Sequence, residues 1–310
     1  MNSIYFDAGM SDAERRRRLF EGQLFVYSPR PSTAALCAFG REMAEEAFAP
    51  LDARQAQHSL PVEQFAAILA ELKPRFIHHP KSKELIRDVL EALGCEPDRV
   101  YFDVPRMRTA THANYLSTGI AYAFHPHRDT WYSAPQCQLN WWLPMYDLES
   151  ENALAFHPRY WSEPVKNGSS EYDYYEWNKT SRRTAAQHIK SDTRKQPHSE
   201  EPLELDPQVR VVARAGGLII FSAAHMHSTV PNTSGHTRFS IDFRTVHLED
   251  VTNFTGAPNI DSASTGTTLR DYLRASDLSR LPESLVAAYD PNPPEDAELI
   301  FQPDAAAAQK

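Results

Sequence analysis

Eight short runs of strand-forming residues follow one another along the middle of the chain, and they constrain its fold more than any other feature. Each run is bounded by Pro, Gly, Asn, Ser or Asp, the residue types that favour turns. Many short strands separated by turns are typical of an all-β sandwich or barrel. The predicted strands are residues 100–107, 120–124, 136–145, 153–157, 209–213, 217–222, 225–230 and 237–246.

The first hundred residues follow a different pattern. A strand is predicted within residues 22–28, and apolar residues then recur at helical spacing in three segments. Pro31 favours the start of the first helix, and Gly94 favours the end of the last. A further short helix is expected near the C-terminus. The four predicted helices are residues 31–48, 61–72, 81–93 and 268–275.

These patterns predict one mainly β domain over residues 1–310. In this interpretation residues 1–98 supply a strand and helices that flank the barrel. Residues 99–248 form the β core of the domain, and residues 249–310 form a C-terminal extension. The core is interrupted by a polar insertion at residues 162–207, rich in Tyr, Trp, Lys and Arg.

A loop as long as this insertion is usually functional or partly helical in a compact domain. It is either a lid that closes over a substrate or a solvated excursion. As a lid, its positive charges would favour an anionic or polar small-molecule substrate. The basic side chains in question are Arg182, Arg183, Lys190 and Arg194.

Composition excludes several classes of protein. The formal net charge of −9 argues against a general nucleic-acid binder, although Arg15–Arg18 form a short basic cluster that we interpret as a solvated helix face. Three cysteines without a Cys-x-x-Cys spacing fit neither a disulfide scaffold nor a zinc ribbon, and favour a reducing cytoplasm. We find no apolar run long enough for a membrane span and no signal-peptide pattern, so no membrane partner is expected.

The sharpest local feature is a set of candidate metal ligands. His127 and Asp129 are two residues apart, so both side chains would face the same way on an extended strand. His227 follows a predicted buried strand much later in the chain. Two histidines and one carboxylate that leave the other positions of an octahedral metal open are typical of non-haem iron(II) oxygenases.

A third motif follows after ten intervening residues. Arg238 and Ser240 share one face of the predicted strand at residues 237–246. A guanidinium group can hold a carboxylate through two parallel hydrogen bonds, and the hydroxyl adds a donor. The order His-x-Asp, distant His and Arg-x-Ser is far more specific than any of its parts.

This order of motifs resembles the iron(II)/2-oxoglutarate-dependent dioxygenase superfamily. Residues 142–147, 151–158 and 227–238 are most similar to its phytanoyl-CoA dioxygenase-like branch, and the resemblance covers residues 100–248. It implies a double-stranded β-helix, or jelly roll, of the cupin type. It also implies Fe(II), 2-oxoglutarate as cosubstrate and O₂. The implied iron ligands are His127, Asp129 and His227, and the implied cosubstrate residues are Arg238 and Ser240.

The resemblance further implies a reaction. We expect hydroxylation of an unactivated C–H bond in a small polar metabolite or natural-product intermediate, with release of succinate and CO₂. Asp129 argues for hydroxylation, or for desaturation or ring chemistry, over halogenation, because related halogenases carry a small residue at that position. The alternatives are a cupin-type metalloenzyme that does not use 2-oxoglutarate, and a catalytically silent metal- or ligand-binding module.

Two predicted assignments have a rival nearby. His225 lies on the same strand face as His227, so it is the alternative ligand, a substrate contact or a buried core histidine. Arg244 shares the face of Arg238 and is either the cosubstrate arginine, a substrate contact or part of a salt bridge beside the site.

Three further residues are candidates by position. Asn140 lies on the strand after the iron motif and could bond a carboxylate of 2-oxoglutarate, or simply face water. Tyr115 is a similar candidate on a strand before that motif. Trp131 follows Asp129 by two residues, so we expect it to line the pocket. The sequence does not predict the oligomeric state.

Overall fold

The computed structural model describes residues 3–121, 125–189, 191–290 and 293. In these ranges the chain forms two β-sheets with helices packed around them. The strands are β1 Ile4–Phe6, β2 Leu24–Tyr27, β3 Val100–Phe102, β4 Arg106–Ala110, β5 Leu139–Pro144, β6 Leu154–Phe156, β7 Val209–Val211, β8 Leu218–Ser222, β9 His227–Thr229, β10 Arg238–His247 and β11 Leu273–Arg274.

Helices lie mainly before the first core strand and in the insertion. The α-helices are α1 Asp12–Phe20, α2 Pro31–Phe48, α3 Val62–His78, α4 Pro80–Ala92, α5 Tyr174–Glu176, α6 Leu248–Asn253 and α7 Glu283–Tyr289. Single 3₁₀ turns are Ala56–His58, His112–Asn114, Gly119–Ala121, Asp129–Tyr132, Pro158–Trp161, Gly168–Glu171, Arg182–Gln187 and Thr268–Asp271, and Trp177–Ser181 is a π turn. Within the described ranges, none of the helices combines the length and apolar character of a membrane span.

The larger sheet is built around β10, the longest strand. Its order is β1-β2-β8-β5-β10-β3-β11, and β4 also pairs with β10. The smaller sheet has the order β7-β6-β9. Strands that are far apart in sequence are thus neighbours within each sheet. Along the chain, β6 and β7 of the smaller sheet follow β4 and β5 of the larger one, and β9 lies between β8 and β10. This arrangement confirms the predicted jelly roll, although the two sheets do not join into a closed barrel.

Each face of the larger sheet has its own apolar core. Helices α1 to α4 cover the outer face, where Phe65 and Leu69 pack in one cluster with Leu143 and Ile241. The second core, which includes Trp142, Phe156, Ile219 and Phe221, joins the two sheets. Because neighbouring strand residues point to opposite faces, Trp141 belongs to the first core and Trp142 to the second. Because these helices cover only the outer face, the inner face of the larger sheet is available for a functional site.

Most predicted elements are present, with local differences. The predicted strand at residues 100–107 is divided into β3 and β4, because Pro105 cannot donate to a sheet ladder. Of the predicted strand at residues 120–124, the described part ends a 3₁₀ turn and residues 122–124 lie outside the described ranges. The predicted C-terminal helix is a 3₁₀ turn followed by β11.

The basic cluster at the N-terminus is only partly solvated, which corrects the interpretation as a solvated helix face. Arg15 is 1% exposed and donates to the carbonyl of Leu93 at 2.8 Å. Arg16 is also buried and forms ion pairs with Asp12 and Asp250. Both side chains are buried because α1 packs against the larger sheet, a tertiary contact that the local charge pattern does not reveal.

Candidate active site

The two candidate histidine ligands are brought together by the backbone. The N–H groups of His127 and His227 each donate to the carbonyl of the other, both at 3.0 Å, so the residues form an antiparallel bridge at the open end of the smaller sheet. Their ring centroids are 4.4 Å apart. Asp129 begins a 3₁₀ turn, and its N–H donates to the carbonyl of Ala223. One ligand atom from each of the three side chains lies within 4.8 Å of the others.

Hydrogen bonds fix which nitrogen each ring presents. Nδ1 of His127 lies 2.7 Å from the carbonyl oxygen of His125, and Nδ1 of His227 lies 3.0 Å from that of His225. Each Nδ1–H therefore donates to a backbone oxygen, which leaves the Nε2 lone pair for a metal. Burial, helped by the neighbouring His127, lowers the pKa of His227 to about 3, so this ring is held in the neutral form that coordinates metals.

The carboxylate ligand is held by three neighbours. Oδ1 of Asp129 lies 3.3 Å from Nε2 of His127, while its Oδ2 accepts from Nε2 of Gln138 at 3.3 Å and lies 3.6 Å from Nη2 of Arg244. Burial alone would raise the pKa of Asp129, but Arg244 and the two histidines outweigh it and hold that pKa well below its usual range. The hydroxyl of Tyr272 donates to Oε1 of Gln138 at 2.8 Å and fixes the amide.

These residues fit an octahedral divalent metal with three protein ligands. Donors on adjacent corners of an octahedron with bonds of about 2.1 Å are about 3 Å apart, close to the separation of Nε2 of His127 and Oδ1 of Asp129. The set contains two imidazoles and one carboxylate, the combination that non-haem iron(II) favours. No other group of three or more His, Cys, Asp or Glu side chains in the described residues is arranged to hold a metal.

A second polar group lies on β10 inside the fold. Arg238 is 7% exposed and donates from Nη1 to the carbonyl of Asn152 at 3.1 Å, and its guanidinium lies 5.3 Å from the centre of the Trp142 ring. Its Nε and the buried Oγ of Ser240 have no hydrogen-bond partner among the described residues. Burial lowers the pKa of Arg238 to about 10. Two buried donors without a partner, two residues apart on one strand, indicate a place where a bound ligand would supply the acceptor.

Arg244 is already neutralised, in contrast to Arg238. It lies 3.1 Å from Asp103, 3.6 Å from Asp129 and 4.0 Å from Asp242. Arg238 thus has no carboxylate within 4.0 Å among the described residues, whereas Arg244 has three and lies beside the candidate metal ligands.

The candidate ligands open onto a cavity of about 630 Å³. It is lined by His127, Asp129 and His227, by Asn140, Trp142 and Arg238 from the larger sheet, and by Tyr172, Trp177, Arg182 and Arg194 from the insertion. Asn140 is buried and its Oδ1 accepts from Nε2 of Gln138 at 2.9 Å, so its own amide protons remain for a ligand. Of the other basic residues singled out in the insertion, Lys190 lies outside the described residues.

The structure does not bring Trp131 to the cavity. It is 0% exposed and its indole N–H donates to Asp261 at 2.7 Å, in a cluster with Tyr160 and Met226. The expectation assumed an extended strand, but Asp129–Tyr132 is a 3₁₀ turn, in which residues three apart share a face. Tyr132 therefore takes the lining position, with its ring 5.5 Å from that of His127.

His225 and Tyr115 are also placed away from the cavity. Nε2 of His225 bonds the carbonyl of Gly22 at 3.2 Å and its ring packs on Trp161, so its contribution to the site is the carbonyl that orients His227. Tyr115 follows a 3₁₀ turn rather than lying on a strand, and its hydroxyl donates to the carbonyl of Leu60 at 2.7 Å.

Sequence reasoning missed Tyr272 and the cationic residues of α3 and β4 that line the cavity. Tyr272 follows the last 3₁₀ turn, in a segment predicted to be helical, and reaches the site only through tertiary packing. Lys73, Arg106 and Arg108 lie in ordinary helix and strand patterns with no motif to single them out.

Comparison with known families decides the wider assignment. The family model described as phytanoyl-CoA dioxygenase matches residues 27–240. This chain belongs to the phytanoyl-CoA dioxygenase family. Its class is therefore that of the iron- and 2-oxoglutarate-dependent oxygenases, and its cofactors are iron, 2-oxoglutarate and O₂, as the resemblance implied.

Solved structures and curated proteins were compared as well. The non-haem α-ketoglutarate-dependent epimerase SnoN from nogalamycin biosynthesis is 16% identical over 76% of this chain and 84% of its own, with a TM-score of 0.39. EvdO2 from Micromonospora carbonacea var. aurantiaca is 13% identical over 77% and 92%, with a TM-score of 0.43. The carbocyclase SnoK is 12% identical over 84% and 98%, with a TM-score of 0.37. None of the curated proteins matches this chain.

Proposed function

We propose that this member of the phytanoyl-CoA dioxygenase family hydroxylates an unactivated C–H bond of a small polar molecule in the cavity. The observation that carries the proposal is that His127, Asp129 and His227 face the same cavity as Arg238, a buried arginine with no carboxylate partner among the described residues. Iron, when bound with 2-oxoglutarate and O₂, supplies the oxidant for such a bond, with succinate and CO₂ as products.

Each group of the chain has a separate task in this proposal. His127, Asp129 and His227 hold the metal on one face, and Gln138 and Arg244 keep the carboxylate ionised and oriented. Arg238 and Ser240 bind the far carboxylate of 2-oxoglutarate, and Asn140 donates to the same molecule. The insertion supplies Tyr172 and Trp177 to the cavity wall, and with them excludes water from the bound substrate.

The carboxylate of Asp129 supports hydroxylation over halogenation, since as a metal ligand it would take the coordination position that a halide needs. Hydroxylation adds one oxygen atom to the substrate, whereas desaturation or ring closure removes two hydrogens. The mass of the product, with ¹⁸O₂ as the oxidant, distinguishes these outcomes once a substrate is found by its stimulation of succinate release.

The first test is an anaerobic titration of the protein with Fe(II) and 2-oxoglutarate, followed through the weak visible charge-transfer band of the chelate. We expect the band in wild type, its loss in His127→Ala and His227→Ala, and its weakening in Arg238→Ala. His125→Ala is the matched control, because the contact of His125 with the site uses its backbone carbonyl, which that change keeps. Bound iron without a band in wild type would favour a cupin-type enzyme that does not use 2-oxoglutarate. A band without succinate release for any substrate would favour a silent binding module.

A further inference from the structure

Positive charge dominates the walls of the cavity, although the protein as a whole has a net charge of −9. Four of the arginines in these walls have a carboxylate partner within 3.1 Å. The pairs are Arg106 with Asp103, Arg108 with Asp242, Arg194 with Asp192, and Arg244 with Asp103.

Three other cations in the walls have no carboxylate within 4.0 Å in the part of the chain that the structure describes. They are Lys73, Arg182 and Arg238. The proposed function gives Arg238 a partner, the far carboxylate of 2-oxoglutarate. Lys73 and Arg182 then have no anion within 4.0 Å among the described residues, and Asp242 and Asp271 act on them only from farther away. Placing two cations without a nearby carboxylate in a partly desolvated cavity costs free energy. These two cations therefore point to a ligand of opposite charge.

Lys73 projects from α3 into the cavity wall. Its ammonium group donates to Oγ1 of Thr109 at 3.2 Å and to the carbonyl of Ile120. An ammonium group has three protons, so one remains for a ligand. Burial, together with Arg108, lowers the pKa of Lys73 to about 7, a direction that an anion beside it would reverse.

Arg182 approaches from the insertion. It begins the 3₁₀ turn Arg182–Gln187, which is held against the core where Oγ1 of Thr118 donates to the carbonyl of His188 at 2.7 Å. Burial and the nearby Arg106 and Arg108 lower the pKa of Arg182 to about 10. Lys73 and Arg182 line the same cavity, and α3 packs directly against the 3₁₀ turn that Arg182 begins.

We propose that Lys73 and Arg182 form an oxyanion subsite that binds a carboxylate or phosphate group of the substrate, separate from the site that Arg238 provides for 2-oxoglutarate. This inference rests on the proposed function, because it assigns the rest of the cavity to the substrate. A guanidinium and an ammonium suit one oxyanion well, since the first binds two oxygens at once and the second binds as a point charge. An acidic substrate anchored in this way has a fixed orientation relative to the candidate metal ligands.

The test measures anion binding to the anaerobic protein loaded with Fe(II) and saturating 2-oxoglutarate. Chloride is replaced by inorganic phosphate or by acetate at constant ionic strength, and the apparent Kd is taken from the rise in thermal midpoint and from calorimetry. We expect wild type to bind at least one anion, and Arg182→Gln and Lys73→Met each to bind it about tenfold more weakly. Arg182→Lys keeps the charge and should keep most of the binding. Arg159→Gln, at an exposed arginine outside the cavity, is the control and should match wild type.

The two anions identify the source of the oxyanion. Binding of phosphate alone indicates a phosphorylated substrate, binding of acetate alone a carboxylic acid, and binding of both supports the subsite without separating the two. Wild type that responds to neither anion more than to chloride, or variants with the wild-type Kd, would overturn the subsite. The charge-transfer band of the same samples reports the proposed function independently. A band without anion binding therefore rejects the subsite alone, and anion binding without a band rejects the oxygenase.

Discussion

Nη2 of Arg244 lies 3.6 Å from Oδ2 of Asp129, so a half-buried cation faces the carboxylate that is expected to bind iron. Arg244 is itself held in place by Asp103 at 3.1 Å and by its position on β10 opposite Asn140 of β5. Its position is therefore set by the larger sheet and not by the metal. We infer that Arg244 is a positioning residue, which keeps Asp129 ionised and aimed at the metal.

Arg244→Gln should weaken iron binding. Without the cation, burial favours the protonated form of Asp129, and a proton then competes with the metal. We expect the apparent affinity for Fe(II) to fall by roughly 10- to 100-fold, the usual effect of removing a partner of a metal ligand. Anaerobic Fe(II) titrations at pH 6 and pH 8 measure the change. The loss should be larger at pH 6, whereas a purely structural effect would be equal at both.

The control is Arg106→Gln, because Arg106 shares Asp103 with Arg244 but is not among the contacts of Asp129. It should leave the Fe(II) affinity close to that of wild type. Equal losses in the two variants would show that the ion-pair network matters only for folding.

Substitutions at Arg238 and Ser240 should separate effects on cosubstrate binding from effects on the free energy of unfolding. Arg238→Gln removes the proposed partner of the far carboxylate, and we expect the Kd of 2-oxoglutarate to rise by roughly 10- to 100-fold. Ser240→Ala should raise that Kd less and leave the free energy of unfolding of the cofactor-free protein unchanged or slightly higher, since the hydroxyl has no partner to lose. Titrations of the charge-transfer band and urea unfolding measure the two quantities. An unchanged Kd in both variants would remove these residues from the cosubstrate site.

The sequence was a good guide wherever the deciding information is local. Strand runs bounded by turn formers located β5 to β10 within a few residues, and the ligand spacing selected the set that the structure brings together. Trp131 was misplaced because the chain after Asp129 turns into a 3₁₀ helix, which changes the spacing of a shared face from two residues to three. A polar, turn-rich segment gives no periodicity that would reveal such a change.

The remaining parts of the site depend on distant contacts. Tyr272 and Gln138 are separated by 134 residues, and Lys73 reaches the cavity from a helix that looks like an ordinary amphipathic one. The burial of Arg15 likewise depends on the packing of α1 against other elements. Residue types and spacings in one sequence do not reveal contacts between residues that are far apart in the chain, so these roles are seen only in the structure.

The packing of the insertion against the core can be tested at Gly119. This glycine has a φ of +58°, and a Cβ atom there would lie 2.2 Å from the carbonyl oxygen of Ala185 and 2.4 Å from that of His188. Gly119→Ala should therefore push the insertion off the core while the metal ligands keep their positions. We expect faster proteolytic cleavage within residues 162–207 and an unchanged charge-transfer band.

Gly94→Ala is the matched control for that change. Gly94 also has a positive φ, +76°, but a Cβ atom there would meet no atom within 4 Å. The two substitutions thus share the backbone strain and differ in the steric clash. Equal rates of cleavage within the insertion in both variants would contradict the proposed packing of the insertion against Gly119.

His247 should make the protein less stable in acid. Its ring is 5% exposed, and its Nδ1 accepts from the N–H of Glu249 at the start of α6. Burial, with Arg16 nearby, lowers the pKa of His247 to about 4, from an ordinary value of about 6.5. Between these two values the unfolded chain binds more protons than the folded one. The contribution of His247 to stability is therefore complete above about pH 6.5 and is lost as the pH falls towards 4.

His247→Asn keeps a side-chain acceptor for the helix start but removes the titration. The variant is expected to be less stable at neutral pH because it loses buried ring contacts, yet its free energy of unfolding should fall less steeply between pH 6.5 and pH 4. The difference in slope is at most about 1.4 kcal/mol per pH unit, the value for one proton. Urea unfolding at pH 7.5, 6 and 5 measures this difference in slope.

His79→Asn is the control, since His79 caps α4 through the same Nδ1 contact but is exposed to water. Parallel pH profiles for wild type and His247→Asn would show that other groups cause the acid sensitivity, and a flattened profile in His79→Asn would show that the change of cap and not the buried imidazole is responsible.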